Sequence, residues 1–129
     1  LPLLLGQRLP AEVRAALLAG LTAPGRFLTA HGLATEALDS PHYRSKGYWR
    51  GPIWPAPTLI LIDGLRACGA ADLARDLQRR FCDLAAQTGM AENFDAVTGA
   101  GYHDFHFSWT AAIFLVLAHE LVDQPQEAS

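Results

Sequence analysis

The sequence has neither a basic stripe nor a lysine-rich run, and its charges are only weakly unbalanced. Its 129 residues include 13 acidic and 10 basic ones, which gives a formal net charge of −3. Nucleic acids and anionic membranes are bound mainly through clustered lysine and arginine side chains. The composition therefore argues against nucleic acid and against a membrane as partners.

Long hydrophobic runs are also missing. The leucines at positions 3–5 are too few for the apolar core of a signal peptide or for a membrane span, which needs about 20 apolar residues. Half of the residues are nevertheless hydrophobic, which is enough for the core of one domain. Because the first residue is Leu1 and not methionine, we expect the chain to begin partway through a longer protein.

Cysteine is scarce, since the chain contains only Cys68 and Cys82. If they lie on consecutive antiparallel helices that turn near Gly69, Cys82 is roughly 18 Å from the turn, at about 1.5 Å of rise per residue. A disulfide requires Cα atoms within about 7 Å of each other. We therefore predict two free thiols, which fits a reducing compartment such as the cytoplasm.

The hydrophobic pattern predicts an all-α chain in which two kinds of helix alternate. Residues 10–22 and 71–87 have an apolar stripe and a charged face, as outer amphipathic helices do. Residues 54–68 and 109–122 are apolar nearly all round, which is typical of helices surrounded by other elements. Such alternation is what a double-layered α/α toroid requires.

Three further expectations concern the shorter segments. Residues 1–5 read as the tail of an apolar helix that Gly6 ends, and residues 123–129 read as a frayed polar tail. Residues 58–62 alone are also compatible with a buried strand. We favour a helix there because no turn signal follows before Gly69.

Two long segments without helical pattern separate these helices: residues 26–53, called the first loop, and residues 89–107, called the second loop. Loops of this length are uncommon in compact domains unless they are functional or disordered. The aromatic side chains of the first loop argue for order. Because each loop leads from an outer helix into an inner one, both should lie at the same end of the toroid.

An aromatic, proline-rich stretch at residues 46–57 is the most distinctive part of the chain. Its prolines lack backbone donors and exclude a helix interior. Trp49 and Trp54, together with the guanidinium of Arg50, would offer flat surfaces and donors to a sugar or to another flat polar ligand. Packing of the tryptophans against the core is an equally supported alternative.

The second loop contains the candidate catalytic residue. Glu92 is a lone glutamate among small and apolar neighbours, which suits a general base, although a carboxylate bonded to backbone amides is the structural alternative. Asp95 is predicted to cap a turn with its own side chain. His103, Asp104 and His106 have no recognisable metal-ligand spacing, so we predict no metal.

Three motifs follow one another in the sequence: Gly-Tyr-Trp-Arg-Gly-Pro-Ile-Trp at residues 47–54, Glu-Asn-Phe-Asp at residues 92–95 and Phe-Ser-Trp-Thr-Ala-Ala at residues 107–112. A Phe-x-Thr-x-x-Gly segment precedes them at residues 27–32. Together they resemble the C-terminal part of the catalytic domain of glycoside hydrolase family 63, which includes processing α-glucosidase I and bacterial mannosylglycerate hydrolases. They are similar, more distantly, to family 37 trehalases.

The resemblance implies that residues 1–129 are the C-terminal portion of an (α/α) six-hairpin barrel. It implies inverting hydrolysis of α-glucoside-type bonds in oligosaccharides or small glycosides, with Glu92 as general base. We expect no cofactor. The general acid of the family is an aspartate upstream of everything present here. The positions that match the sugar-binding rim are Tyr48, Trp49, Arg50, Trp54 and Trp109.

A barrel of this kind has about twelve helices, so the chain is expected to be inactive alone. Its exposed apolar helix faces should pack against the rest of the barrel or against a second copy. The alternative is a non-catalytic α-helical module that mediates an interaction or binds sugar weakly.

Overall fold

The computed structural model describes residues 2–123, and within that range the all-α prediction is confirmed. Leu1 and positions 124–129, which include most of the predicted frayed tail, lie outside the described residues. The elements are a 3-10 helix (Pro2–Arg8), α1 (Ala11–Thr22), α2 (Pro55–Ala67), α3 (Ala71–Gln87), β1 (Asn93–Phe94), β2 (Gly101–Tyr102) and α4 (Ser108–Asp123).

Helix α2 begins in the aromatic stretch, as predicted. Pro55 and Pro57 lie in its first turn, where backbone amides have no helical partner and a missing N–H costs nothing. Trp54 precedes them with extended backbone (φ −121°, ψ 144°), the conformation that a following proline favours. The strand alternative for residues 58–62 is excluded, since they lie inside this helix.

The N-terminal segment is a 3-10 helix, and its backbone leaves helical geometry at Gly6 (φ 54°, ψ −127°), where the sequence predicts an end. A second short helical stretch continues from there to Arg8. A Cβ atom at this glycine would lie 2.7 Å from the carbonyl oxygen of Ala67. Gly6 therefore interrupts the helix and also allows close packing on the end of α2.

Helix α1 is peripheral. Leu17, Leu18 and Leu21 pack against the core, but none of the helix residues is buried. Val13, which the spacing assigns to the same apolar stripe, is 39% exposed. The stripe is therefore shorter than predicted.

Helices α2, α3 and α4 enclose the main core, with Ile62, Leu65, Leu77, Phe81 and Leu117 fully buried. A polar contact joins the same three helices. Gln78 of α3, only 2% exposed, donates to the carbonyl oxygen of Leu117 at 2.7 Å and accepts from Arg66 at 2.9 Å. Arg66 also pairs with Glu120 at 2.7 Å.

The prediction of two free thiols is confirmed, and both Cys68 and Cys82 are buried. Burial, with smaller contributions from Asp83 and Glu120, raises the pKa of the Cys82 thiol to about 11. The thiol is therefore protonated at neutral pH.

Helix α4 is apolar but is not surrounded by the residues that the structure describes. Leu115, Val116 and Val122 are 67%, 48% and 79% exposed. Leu4 and Leu5 of the 3-10 helix are also about half exposed. No helix within residues 2–123 is long and apolar enough to cross a membrane.

Candidate functional site

A hydrogen bond between the two loops defines the candidate site. The hydroxyl of Tyr48 donates to Oε1 of Glu92 at 2.6 Å, across 44 residues of sequence. This bond to a carboxylate is the largest cause that raises the pKa of Tyr48 above its ordinary value. The hydroxyl of Tyr48 is therefore protonated and able to donate around pH 7. The two loops, which the sequence places at the same end of the helices, are thus in direct contact.

The aromatic stretch forms a small stack of rings. Trp49 lies parallel to Trp54 with 4.0 Å between ring centroids and 15° between planes, and Tyr48 meets Trp54 edge-on at 4.7 Å. The indole N–H of Trp54 donates to the backbone carbonyl of Tyr48 at 2.8 Å. Offset and edge-on ring pairs are favourable arrangements for aromatic side chains.

The two tryptophans are not equivalent, although the sequence places both on the sugar-binding rim. Trp49 is 50% exposed, whereas Trp54 is 1% exposed beneath it. Trp54 thus supports the rings of Trp49 and Tyr48 from the core side, and in this conformation its own ring has no surface to offer. The packing alternative therefore holds for Trp54, and of these two tryptophans only Trp49 leaves its ring exposed.

Arg50 follows these rings on a tightly folded turn. Its backbone carbonyl accepts from Arg44 at 2.8 Å, and its backbone N–H donates to Gly47 at 3.1 Å. Gly51 must be glycine here, because a Cβ atom would lie 2.3 Å from the Arg44 carbonyl oxygen. The exposed Arg50 guanidinium has no hydrogen bond or ion pair with any residue in the described range.

The segment that carries Glu92 is fixed by bonds from three directions. The backbone N–H of Glu92 donates to the backbone carbonyl of Asp104 at 2.8 Å. Two residues further on, the backbone of Phe94 exchanges two hydrogen bonds with that of Ile53, at 2.8 and 3.0 Å. The hydroxyl of Thr110 donates to the carbonyl of Ala91 at 2.7 Å. The half-buried Glu92 is therefore held by the first loop, the second loop and α4 together.

Asp95 forms the predicted turn. Its Oδ1 accepts from the backbone N–H groups of Val97 and Thr98, both at 2.8 Å, and its Oδ2 accepts from the hydroxyl of Tyr102. Burial alone would raise the pKa of Asp95, but these hydrogen bonds outweigh it and lower the pKa. The turn closes the hairpin of β1 and β2, which the sequence analysis did not identify.

His103 lies nearer the site than the sequence indicated. Its imidazole meets the ring of Tyr48 at 5.4 Å, and its backbone is left-handed (φ 62°), which is uncommon outside glycine. Tyr48 has the same kind of backbone (φ 59°). Spacing does not reveal this contact, because it depends on how the hairpin folds back toward the first loop. Between Pro2 and Asp123, no group of three or more His, Cys, Asp or Glu residues could hold a metal.

Trp109 occupies the first turn of α4 and is 55% exposed. Its ring meets Phe107 at 5.8 Å. The structure does not bring it into ring contact with Tyr48, Trp49 or Trp54 among the described residues. It is tied to the site only through its neighbour Thr110, which bonds to the residue before Glu92.

Comparison with known proteins assigns a family to this arrangement. The sequence model of a protein family, described as the mannosylglycerate hydrolase MGH1-like glycoside hydrolase domain, matches residues 1–110 of this chain. The mannosylglycerate hydrolase of Rubrobacter radiotolerans is 38% identical over 103 residues, covering 78% of this chain and 23% of that protein. The glucosylglycerate hydrolase of Mycolicibacterium hassiacum is 34% identical over 118 residues, covering 88% of this chain and 26% of that protein.

Solved structures show the same relationship. The crystal structure of the family 63 mannosylglycerate hydrolase from Thermus thermophilus in complex with glucose matches with a TM-score of 0.75 and 32% identity, over 89% of this chain and 29% of that one. This likeness confirms that the helices form part of an (α/α) barrel. The chain spans about a quarter of the length of the curated relatives that it matches. It belongs to the mannosylglycerate hydrolase MGH1-like family of glycoside hydrolases, within family 63.

Proposed function

We propose that this chain is the C-terminal portion of the barrel of an inverting glycoside hydrolase and that it supplies the general base, Glu92. The Tyr48–Glu92 hydrogen bond carries the proposal, because it fixes one carboxylate beside an exposed aromatic surface. Among the described residues, Oε2 of Glu92 forms no hydrogen bond and can accept a proton from water. General-base catalysis requires this combination of a positioned carboxylate and an open oxygen.

The rim residues are proposed to bind the substrate. The exposed rings of Trp49 and Tyr48 offer apolar surface to a sugar ring. Arg50 offers donors that no residue in the described range occupies. Trp54 acts by supporting these two rings. Trp109, which is exposed in the first turn of α4, is proposed as a separate contact for the substrate.

The substrate class follows from the relatives. Those named above act on mannosylglycerate and glucosylglycerate, so we propose an α-linked hexose on glycerate or on a similarly small aglycone. The guanidinium of Arg50 forms no ion pair with any described residue, so it is suited to bind the carboxylate of such an aglycone.

An inverting mechanism needs a second carboxyl group. That group protonates the leaving oxygen and lies roughly 6.5–9.5 Å from the base, which leaves room for the attacking water. We propose that an aspartate outside this chain supplies it. Glu92 would then remove a proton from water as the water attacks the anomeric carbon from the opposite face.

The proposal predicts that Glu92→Gln in the complete protein lowers kcat by about 10²- to 10⁴-fold, because the amide cannot accept the proton. The assay follows sugar release from mannosylglycerate and glucosylglycerate, and proton NMR identifies the first anomer released. Glu12→Gln on the exposed face of α1 is the matched control and should keep full activity. Wild-type turnover by Glu92→Gln would refute the base assignment, and release of the α-anomer would refute inversion.

A further inference from the structure

His103 has a backbone conformation that most side chains avoid. Its φ of 62° is left-handed, a region in which a Cβ atom makes unfavourable contacts. Among residues 2–123, the non-glycine residues with a positive φ are Tyr48, Met90, His103 and His106. Two of them meet ring to ring, since the imidazole of His103 lies 5.4 Å from the ring of Tyr48, at 83°. Strained backbone of this kind is concentrated at functional sites.

Hydrogen bonds on both sides of His103 hold this conformation. On one side, the backbone carbonyl of Asp104 accepts from the N–H of Glu92 at 2.8 Å. On the other side, Tyr102 pairs with Asn93 across the hairpin. The backbone of His103 is therefore bonded to the strand that carries the candidate base. Its imidazole is held beside Tyr48 by this hairpin and does not depend on a free loop.

The polar atoms of the imidazole are unoccupied. The side chain of His103 is exposed, and its nitrogens form no hydrogen bond or ion pair with any residue from Pro2 to Asp123. By contrast, the hydroxyl of Tyr48 is bonded to Glu92, and the indole N–H of Trp54 is bonded to a backbone carbonyl. A neutral imidazole has one donor and one acceptor nitrogen. An apolar ring would pack against Tyr48 equally well, so the free nitrogens are suited to a ligand with hydroxyl groups.

The surface beside the imidazole indicates the class of ligand. Tyr48 makes edge-on ring contacts with His103 at 5.4 Å and with Trp49 at 5.7 Å, and all three side chains are exposed. Binding sites for small molecules combine aromatic surface with a few placed polar groups. A sugar matches this combination, because its ring has apolar C–H groups and a rim of hydroxyl groups.

We propose that His103 is a substrate-binding residue whose imidazole hydrogen-bonds a hydroxyl group of the sugar held on Trp49 and Tyr48. The proposal rests on the proposed function of this rim. It adds a residue that lies outside the three sequence motifs, between residues 92–95 and residues 107–112. It does not depend on Glu92 as the base, since sugar binding and proton transfer are measured separately.

Titration of glucose and of mannose into the complete protein tests this contact, because neither sugar has a glycosidic bond to hydrolyse. His103→Phe keeps a flat ring beside Tyr48 and removes both nitrogens. The Kd of the sugar that the wild type binds more tightly should rise about 3- to 10-fold, which corresponds to the loss of one hydrogen bond. His106→Phe is the matched control and should leave this Kd unchanged. His106 is also exposed and left-handed (φ 59°), but no ring contact in the described range joins it to Tyr48.

Two further variants keep the test independent of folding. His103→Gly serves if the phenylalanine variant does not fold, since glycine adopts this backbone without strain, and its loss of affinity should be at least as large. His103→Asn keeps a donor and an acceptor and tolerates left-handed backbone, so it should recover part of the affinity.

The result that would overturn the proposal is an unchanged Kd in both His103→Phe and His103→Gly. A wild-type protein that binds neither sugar would overturn it too, together with the sugar-binding rim. If His103 only supported Tyr48, His103→Phe would keep its affinity and His103→Gly would lower kcat alone, which also contradicts the proposal. An active Glu92→Gln would instead refute the base and leave the affinity difference between wild type and His103→Phe in place.

Discussion

Tyr48 is the side chain through which the first loop acts on the candidate base. It is 41% exposed, and yet its hydroxyl is directed to Oε1 of Glu92 while its ring is held against Trp54. A hydrogen bond between a neutral donor and a carboxylate is stronger than one between two neutral groups. Since the pKa of the phenol is raised, the donor is retained from acidic to alkaline pH.

We predict that Tyr48→Phe in the complete protein lowers kcat by about 10- to 100-fold, which corresponds to the loss of a hydrogen bond to a charged group. KM should change less, since the ring contacts with Trp49 and Trp54 remain. Steady-state kinetics on the preferred substrate measure both values.

Comparison of Tyr48→Leu with Tyr48→Phe separates the contribution of the ring from that of the hydroxyl. Tyr48→Leu removes both groups, so KM should rise in addition to the fall in kcat if the ring forms part of the rim. If Tyr48→Phe behaves like wild type, the bond to Glu92 has no catalytic role.

The hairpin of β1 and β2 is the element that presents Glu92, and Asp95 holds its turn. The pKa of Asp95 is lowered in the folded chain by bonds from Tyr102, Thr98 and Val97, which prevail over burial. The ionised carboxylate therefore stabilises the fold. This contribution is complete above the unfolded pKa of about 3.9 and is lost as the pH falls through the lower folded value.

We predict that Asp95→Asn lowers the Tm of the complete protein at neutral pH and that the difference from wild type shrinks below about pH 4. Thermal unfolding measured between neutral and acid pH by circular dichroism gives this difference directly. Asp83→Asn on the exposed side of α3 is the control and should have little effect at any pH. A difference that grows on acidification would contradict the assigned sign.

For the molecule as a whole, the exposed apolar face of α4 is the main departure from a self-contained domain. Leu115 and Val122 are among the most exposed hydrophobic side chains in the described range. The match covers only about a quarter of the length of the relatives. We propose that the rest of the barrel covers this face in the complete protein.

This predicts that Leu115→Lys lowers the Tm or the soluble yield of the complete protein, because a charge would be buried in the contact. Val97→Lys, at a similarly exposed valine (57%) in the turn after Asp95, is the control and should be tolerated. If both variants melt like wild type, the α4 face is open to solvent in the complete protein.

The alternative of a non-catalytic module is also tested on the whole molecule, by comparing the isolated chain with the complete protein. A helical module that only binds sugar or a partner would retain its function in the isolated chain. Because the proposed active site has its general base here and its general acid outside this chain, we expect no hydrolysis by the isolated chain and activity when the remaining portion of the barrel is supplied.

The sequence by itself determined the helices, because periodicity and proline placement act locally. It predicted α2 and α3 nearly to the residue, and Asp95 as a turn residue, since its bonds span only a few positions. It also identified Glu92 and the aromatic motif as the residues of interest.

Only the tertiary structure decided what those residues do to one another. The bond from Tyr48 to Glu92 joins two loops across 44 residues, and the different exposure of Trp49 and Trp54 depends on how their rings stack and pack. The burial of a side chain depends on which other parts of the chain pack around it, and composition or spacing alone does not give this. The assignment of one tryptophan to the surface and the other to its support therefore required the fold.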